Sequence, residues 1–381
     1  MEITEQDVKE IAPYTDEEFR QGIQRLLQSP KLAGIVSVNF PKLQFEEFRR
    51  LVDSLHTPND YQRHVILVTI QSLLKKTSSG LALSGTKVLS PKQNYLYLSN
   101  HRDIICDPAL LCAGLLLQGF GTPKICLGDN LLMSQFIVDM VKTNKAITVK
   151  RNLSTRALFK WSQVLSTYIK QEIETGPDSI WLAQREGRAK DGNDLTHPGV
   201  IKMLALAGEE TFLEKLAALH IVPMAVSYEY DPCDALKARE VYITATTGNY
   251  QKNPDEDVTS MMQGIRGFKG GIHISLAGEI DEALERVGKI ELKKDQVTEI
   301  VRSIDRAIHQ NYQNWPSNYI AYDLLEGGNA MQGHYSKEKK QEFMDRMQTQ
   351  LDPFPLDQRE GLSRYFLDIY ANPVRNALRS I

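Results

Sequence analysis

The feature that most constrains the fold of this chain is the alternation of short β-prone runs with helical segments between residues 81 and 280. Such alternation is typical of an α/β layer, in which helices cover the faces of a sheet. We therefore predict an α/β fold with a mixed β-sheet flanked by helices. The predicted strands are 95–98, 124–127, 146–150, 179–183, 221–228, 240–245 and 272–276, and helical periodicity covers 154–174 and 199–219.

Helical patterns lie on both sides of this alternating region. Apolar residues recur at helical spacing from residue 15 to about 76, and the polar run 77–80 then breaks the pattern. After Glu279 no further strand is predicted. A helical segment follows, and then two charged, amphipathic segments. We therefore predict an N-terminal helical bundle in a region 1–80, an α/β domain 81–290 and a C-terminal helical extension 291–381. The three C-terminal segments are 291–311, 336–349 and 356–380.

Charge and hydropathy exclude several classes of protein. The net charge is -3 at pH 7, which argues against a nucleic-acid-binding chain, since such chains are usually basic. The longest uncharged run, 108–123, is shorter than the roughly 20 apolar residues that a spanning helix needs, so no transmembrane segment is expected. An acidic start and four cysteines without metal-site spacing favour a cytoplasmic protein with no bound metal.

The candidate catalytic residues lie where the strand at 95–98 ends. His101 follows that strand in a polar turn, and Asp107-Pro108 opens the next apolar segment, so we expect Asp107 at the N-cap and Pro108 at the first helical position. A carboxylate facing an imidazole can hold one tautomer and stabilise the protonated ring. Either Asp107 or Asp103 could be that carboxylate. The tripeptide 101–103 resembles a kinase catalytic loop, but Pro108 stands where that motif requires Asn.

Cationic side chains follow two further predicted strands. Arg151 ends the run 146–150, and the turn 184–192 carries three cations and a Glu among glycines that allow close approach of the backbone to a ligand. Guanidinium groups suit phosphate recognition, although most charged turns are simply solvated. Glu186 could also pair with Arg188 or Lys190. A fourth run, 221–228, reads as a buried strand interrupted by Pro223.

The order of these blocks resembles the glycerolipid acyltransferase family, the glycerol-3-phosphate and 1-acylglycerol-3-phosphate acyltransferases. The resemblance extends over residues 95–228, with one residue more than usual between the His and the Asp and one fewer in the Glu-Gly-Arg turn, as in a divergent bacterial branch. The matching residues are Asn100, His101, Asp107 and Pro108 in the first block, Arg151 in the second, Glu186, Gly187 and Arg188 in the third, and Pro223 in the fourth.

The resemblance implies an acyltransferase-like fold and an enzyme of phospholipid biosynthesis that moves a fatty acyl group to a hydroxyl. His101 would be the general base and Asp107 its orienting partner, with Asn100, Asp103 and Pro223 in support. The phosphate of glycerol 3-phosphate or of a lyso-lipid would be held by Arg151, Arg188 and Lys190. Glu186 and Gly187 would shape that pocket.

The donor implied by the resemblance is acyl-CoA or acyl carrier protein, with no cofactor. Lipid products and the amphipathic segment 356–380 also predict contact with a membrane surface, peripheral on the inner face. Two alternatives stay open: O-acylation of a lyso-aminolipid, such as a lyso-ornithine or lyso-glycine lipid, and a lipid-binding scaffold without catalysis.

Overall fold

A computed structural model describes residues 3–39, 43–253 and 255–380, so residues 1–2, 40–42, 254 and 381 of the predicted regions lie outside it. Its centre is a mixed sheet of seven strands in the order β1-β7-β6-β2-β5-β3-β4. The strands are β1 Gly80–Ser84, β2 Leu96–Ser99, β3 Lys124–Gly128, β4 Ala146–Val149, β5 Ile180–Ala183, β6 Ile221–Tyr228 and β7 Gly271–Leu276. The predicted α/β class with a mixed, helix-flanked sheet is therefore confirmed.

Five neighbouring strands, from β6 through β2, β5 and β3 to β4, run parallel to one another. The sheet becomes mixed only at β7, which pairs antiparallel with β6 and parallel with β1. All eight residues of β6 and all four of β2 are buried, as expected for strands covered by helices on both faces. The carboxyl ends of the five parallel strands consequently lie along one edge of the sheet.

Helices cover both faces of the sheet, and helices also form the N-terminal and C-terminal parts of the chain. The first six are α1 Glu5–Ile11, α2 Asp16–Leu27, α3 Pro30–Asn39, α4 Phe45–Asp53, α5 Pro58–Tyr61 and α6 Leu67–Thr77. Those between the strands are α7 Cys106–Leu117, α8 Gln135–Lys142, α9 Thr155–Thr175, α10 Pro198–Leu204, α11 Phe212–Ala217, α12 Asp234–Thr247 and α13 Glu256–Arg266. The last five are α14 Asp281–Val287, α15 Lys293–Asn311, α16 Pro316–Glu326, α17 Lys337–Leu351 and α18 Leu356–Arg379.

The apolar core has a separate layer on each face of the sheet. One layer joins β2, β5 and β6 to α9 and α15, and the other joins the opposite faces of these strands to α6 and α7. The N-terminal helices enclose a third cluster that also takes in α8, and the C-terminal helices enclose a fourth with α12. Both helical ends therefore pack against elements of the sheet region. The boundaries at 80/81 and 290/291 remain predictions.

One predicted strand is wrong and one observed strand was missed. Residues 240–245 form part of α12 although they are rich in β-branched and aromatic side chains. Hydroxyls of Thr244, Thr246 and Thr247 donate to carbonyls four residues back, which lets a helix accommodate these residues. Burial of Ala238 against the C-terminal helices then stabilises α12. The edge strand β1 lies outside the predicted strands, and it begins at Gly80, in the polar run that ends the N-terminal helical pattern.

Helix α18 does not offer its apolar face to a membrane. That face is buried against α12, α16 and α17, so the C-terminal segment does not supply the amphipathic surface for which it was singled out. Its buried residues include Leu362, Phe366, Leu367, Ile369, Tyr370 and Val374. Among the described helices none is long and apolar enough to cross a bilayer.

Candidate active site

The parallel strands bring the sequence-predicted residues to one edge of the sheet. His101 follows β2, Arg151 follows β4 and the turn 184–190 follows β5, and these three strands all point the same way. Two backbone hydrogen bonds join the first and third of these segments, from Gln184 N to Ser99 O and from Ala189 N to His101 O. The cationic turn therefore lies directly beside the His turn.

The imidazole of His101 contacts the Asp107 carboxylate, with 2.8 Å between Nδ1 and Oδ2. The His101 side chain is 13% exposed and Asp107 is fully buried, so the pair has one end at the surface and one in the interior. The His101 ring also meets the face of Trp181 edge-on, at 5.5 Å between centroids. With Nδ1 donating to the carboxylate, Nε2 has no hydrogen-bond partner among the described residues.

Asp107 accepts hydrogen bonds on both oxygens. Besides the imidazole, Oδ2 receives the backbone N–H groups of Arg102 at 2.6 Å and Asp103 at 2.9 Å. The other oxygen, Oδ1, receives the hydroxyl of Tyr228 at 2.7 Å. A buried carboxylate needs such donors to replace water, and four donors are enough to hold it in one orientation.

Asp103 has a different task from Asp107. Its Oδ1 accepts the backbone N–H groups of Ile105 and Cys106, so it caps the start of α7. The expectation of an Asp107 N-cap with Pro108 in the first helical position is therefore wrong, since α7 begins at Cys106. Burial, together with the nearby charge of Asp107, raises the pKa of the Asp103 carboxyl.

Asn100 and Arg102 fix the turn from either side of His101. Asn100 Nδ2 donates to Val226 O and its Oδ1 accepts from Val226 N, so the amide continues the pairing of β2 with β6 beyond the end of β2. The buried Arg102 guanidinium donates to Asp194 at 2.5 Å. Lys237 donates to Arg102 O from α12. These contacts hold the backbone around His101 from three elements.

Arg151 and Glu186 form an open ion pair. Their closest atoms are 3.6 Å apart, and Glu186 is 76% exposed, which leaves this pair largely in solvent. Gly128 leaves room for the Arg151 side chain, because a Cβ there would lie 2.5 Å from Nε. Gly187 adopts the left-handed backbone (φ 71°) that the tight turn requires. The partner of Glu186 is therefore Arg151, and not Arg188 or Lys190.

The two cations after Gly187 differ in their pairing. Lys190 is paired with Glu240 of α12, and burial and the nearby Arg188 lower the pKa of Lys190. Arg188 is buried, and no described residue accepts a hydrogen bond from it. Its Nη1 is wholly enclosed and has no hydrogen-bond partner, and its positive charge partly offsets the rise in the pKa of the Asp103 carboxyl. Arg188 is thus a buried guanidinium with unused donors next to the His turn.

Two residues of the fourth block have distinct positions. Pro223 lies inside β6 opposite Leu98, with its carbonyl accepting from Ala277 N, and it contacts neither His101 nor Asp107 through a hydrogen bond. Tyr228 at the end of β6 contacts Asp107 and was not singled out from the sequence. A tyrosine ending a fully buried strand was the available signal, since a buried hydroxyl needs a partner.

No group of three or more His, Cys, Asp or Glu side chains in the described ranges could hold a metal ion. All four cysteines are free and buried, and burial raises the pKa of Cys112 and of Cys126 to about 12.

Comparison with known proteins shows distant similarity at the level of structure. No family model matches the sequence, and no curated protein matches it. Among solved structures, the chain is similar to the 1-acyl-sn-glycerophosphate (LPA) acyltransferase PlsC from Thermotoga maritima, with 10% identity and a TM-score of 0.35. The similarity covers 76% of this chain and 97% of that one.

Proposed function

We propose that this protein is an O-acyltransferase that moves a fatty acyl group from a thioester to the hydroxyl of glycerol 3-phosphate or 1-acylglycerol 3-phosphate. The observation that carries the proposal is the His101–Asp107 pair at the carboxyl end of β2, with 2.8 Å between Nδ1 and Oδ2. Arg188 in the adjoining turn supports a phosphorylated acceptor, since its buried Nη1 has no hydrogen-bond partner.

In the proposed reaction His101 Nε2 takes the proton of the acceptor hydroxyl while its oxygen attacks the thioester carbonyl carbon. The carbon–sulfur bond then breaks, and the imidazolium returns the proton to the leaving thiolate. An ester and a free thiol result, so no oxidant, metal or covalent enzyme intermediate is required. Asp107 stabilises the imidazolium and keeps Nδ1 protonated, which directs the basic nitrogen toward the acceptor.

In the proposed complex Arg188 and Arg151 bind the phosphate of the acceptor. Arg188 has donors free of protein partners, and Arg151 is engaged only by an exposed carboxylate at 3.6 Å, an arrangement that an anion can displace at little cost. Lys190, which is paired with Glu240, lies in the same turn two residues after Arg188. Glu186 and Gly187 shape the turn.

The donor in this proposal is acyl-CoA or acyl carrier protein, and the reaction takes place in the cytoplasm at a membrane surface. Flotation with liposomes of anionic phospholipid tests the membrane contact. Failure to float under any lipid composition contradicts it without affecting the chemistry.

The test of the proposed function is release of free thiol from acyl-CoA, with and without glycerol 3-phosphate or 1-acylglycerol 3-phosphate, followed by mass spectrometry of the lipid product. We expect thiol release that depends on the acceptor, and a new ester of matching mass.

The same assay is repeated with a phosphate-free lyso-aminolipid and with acyl carrier protein as donor. Turnover of the aminolipid alone contradicts the phosphorylated acceptor and leaves acyl transfer intact. No thiol release with any donor and acceptor contradicts the proposed function and favours a lipid-binding scaffold.

A further inference from the structure

We infer that Tyr228 is a positioning residue for the His101–Asp107 pair: its hydroxyl holds the Asp107 carboxylate in the orientation that points Oδ2 at Nδ1. The inference rests on the proposed function, in which His101 is the base. Tyr228 does not reach the reacting atoms; it acts through Asp107.

The contact is direct and enclosed. Tyr228 Oη donates to Asp107 Oδ1 at 2.7 Å, and the chain positions are 121 residues apart. Asp107 is fully buried and Tyr228 is 4% exposed, so no water competes for this bond. Without the hydroxyl, the remaining three donors to Asp107 all approach Oδ2, and Oδ1 has no other described partner.

Asn100 joins the strand that carries Tyr228 to the turn that carries His101. The Asn100 amide bonds both the N–H and the carbonyl of Val226, at 2.7 and 3.0 Å, two residues before Tyr228. The same residue immediately precedes His101, so one side chain fixes the end of β6 relative to the His turn. Pairing of Tyr228 with Ile272 on β7 holds the other side of the strand.

The tyrosine remains a donor at every pH at which the protein is expected to work. Burial, with the nearby Asp107 charge, raises the pKa of Tyr228 well above 10. A hydroxyl that stays protonated can only give its proton to the carboxylate, and the carboxylate cannot rotate to exchange its two oxygens without losing this bond.

Removal of the Tyr228 hydroxyl should have different effects if the side chain only fills the core and if it orients Asp107. Phenylalanine would fill the same space in the apolar layer, and Tyr97 in that layer provides a matched control. Tyr97 is also buried, at 3% exposure on the neighbouring strand β2, and it does not contact Asp107. The variants Tyr228→Phe and Tyr97→Phe therefore remove one buried hydroxyl each.

The first readout is independent of activity. In proton NMR, the hydrogen-bonded Nδ1–H of His101 is identified as the low-field resonance absent from His101→Ala. We expect Tyr228→Phe to displace or abolish this resonance, because Oδ1 loses its described donor and more of the carboxylate charge then faces Nδ1. Tyr97→Phe should leave it in place. An unchanged resonance in folded Tyr228→Phe, or an equal change in both variants, overturns the inference.

The second readout is kinetic. Tyr228→Phe removes a hydrogen bond to a charged group, and we expect this loss to lower kcat about 10-fold. The KM values of donor and acceptor should change less than about twofold. An equal loss of kcat in Tyr97→Phe overturns the positioning role. If the wild-type protein transfers no acyl group, the proposed function fails, while the NMR comparison still decides whether Tyr228 orients the pair.

Discussion

The two turns at the carboxyl edge of the sheet differ in how fully their polar groups are paired. In the His turn, Asp107 accepts four hydrogen bonds and Asn100 bonds both backbone groups of Val226. In the cationic turn, Arg188 is buried with unused donors and Glu186 is open to solvent.

The difference separates two requirements of a site. An acid–base pair must hold its geometry before substrate arrives, and this needs complete internal pairing. A residue that binds an anion must keep donors free of protein partners, at some cost in the free protein. The contrast predicts that changes in the His turn affect turnover or stability, whereas changes in the cationic turn affect acceptor binding.

The largest expected effect is that of His101→Ala on turnover. Loss of a general base typically lowers kcat by roughly 10²–10⁴-fold. We expect the variant to stay folded, because the imidazole lies at the surface end of the pair. Thiol release with saturating donor and acceptor measures it, and exposed His64→Ala serves as the control. Full acyl transfer by His101→Ala would falsify the mechanism.

Next is the effect of Asn100→Ala on stability. The substitution leaves the N–H and C=O of Val226 buried without partners, so we expect a loss of about 2–4 kcal/mol in the free energy of unfolding. Urea unfolding measures it against Asn59→Ala, an exposed site with an expected change under about 0.5 kcal/mol. Similar values for both variants would mean that the His turn is not fixed to β6 through Asn100.

Arg188→Ala should act on acceptor binding. One lost charge-assisted contact corresponds to about a 10–100-fold rise in the KM for glycerol 3-phosphate, with a smaller change in the KM for the acyl donor. Arg302→Ala is the control, since Arg302 forms an open pair with Glu299 at 3.6 Å on α15. Unchanged KM values in Arg188→Ala would show that Arg188 does not bind the acceptor.

The smallest expected effect comes from Asp103→Asn. The asparagine oxygen can still accept from Ile105 and Cys106, so the cap of α7 is kept. Because the folded-state pKa of Asp103 is raised, the folded protein binds this proton more tightly than the unfolded chain does. Ionisation of Asp103 therefore costs stability as the pH rises through the raised pKa.

We accordingly expect the free energy of unfolding of Asp103→Asn, relative to that of the wild type, to increase from pH 4 to pH 8. Urea unfolding at both values measures the gain. A constant difference between the two proteins would show that the Asp103 carboxyl is not destabilised by burial.

The sequence predicts the position of side chains where the strand, turn and helix signals lie within a few residues of one another. His101 and Asp107 are six residues apart, and the strand, polar turn and Pro-containing helix start between them limited where the two side chains could lie. It did not distinguish Asp107 from Asp103, since both are within reach of the ring. The choice depends on α7 starting at Cys106, which gives Asp103 the cap and turns Asp107 toward Nδ1.

Local propensity does not predict the secondary structure of segments whose conformation depends on packing against distant parts of the chain. The β-branched residues at 240–245 became helical because α12 packs on the C-terminal helices. The partners of the cations were also not readable, since Arg151 lies beside Glu186 and Lys190 beside Glu240 only after the strands are ordered.

By itself the sequence determined the α/β alternation, the helical ends and the polar turns that follow the strands, because turn and periodicity signals act within a few residues. The tertiary structure alone decided that Tyr228 contacts Asp107, that Asn100 bonds β6 beyond the end of β2 and that Arg188 Nη1 is enclosed without a hydrogen-bond partner. These contacts depend on β6 lying beside β2 in the sheet, and strand order is fixed by the packing of the whole core.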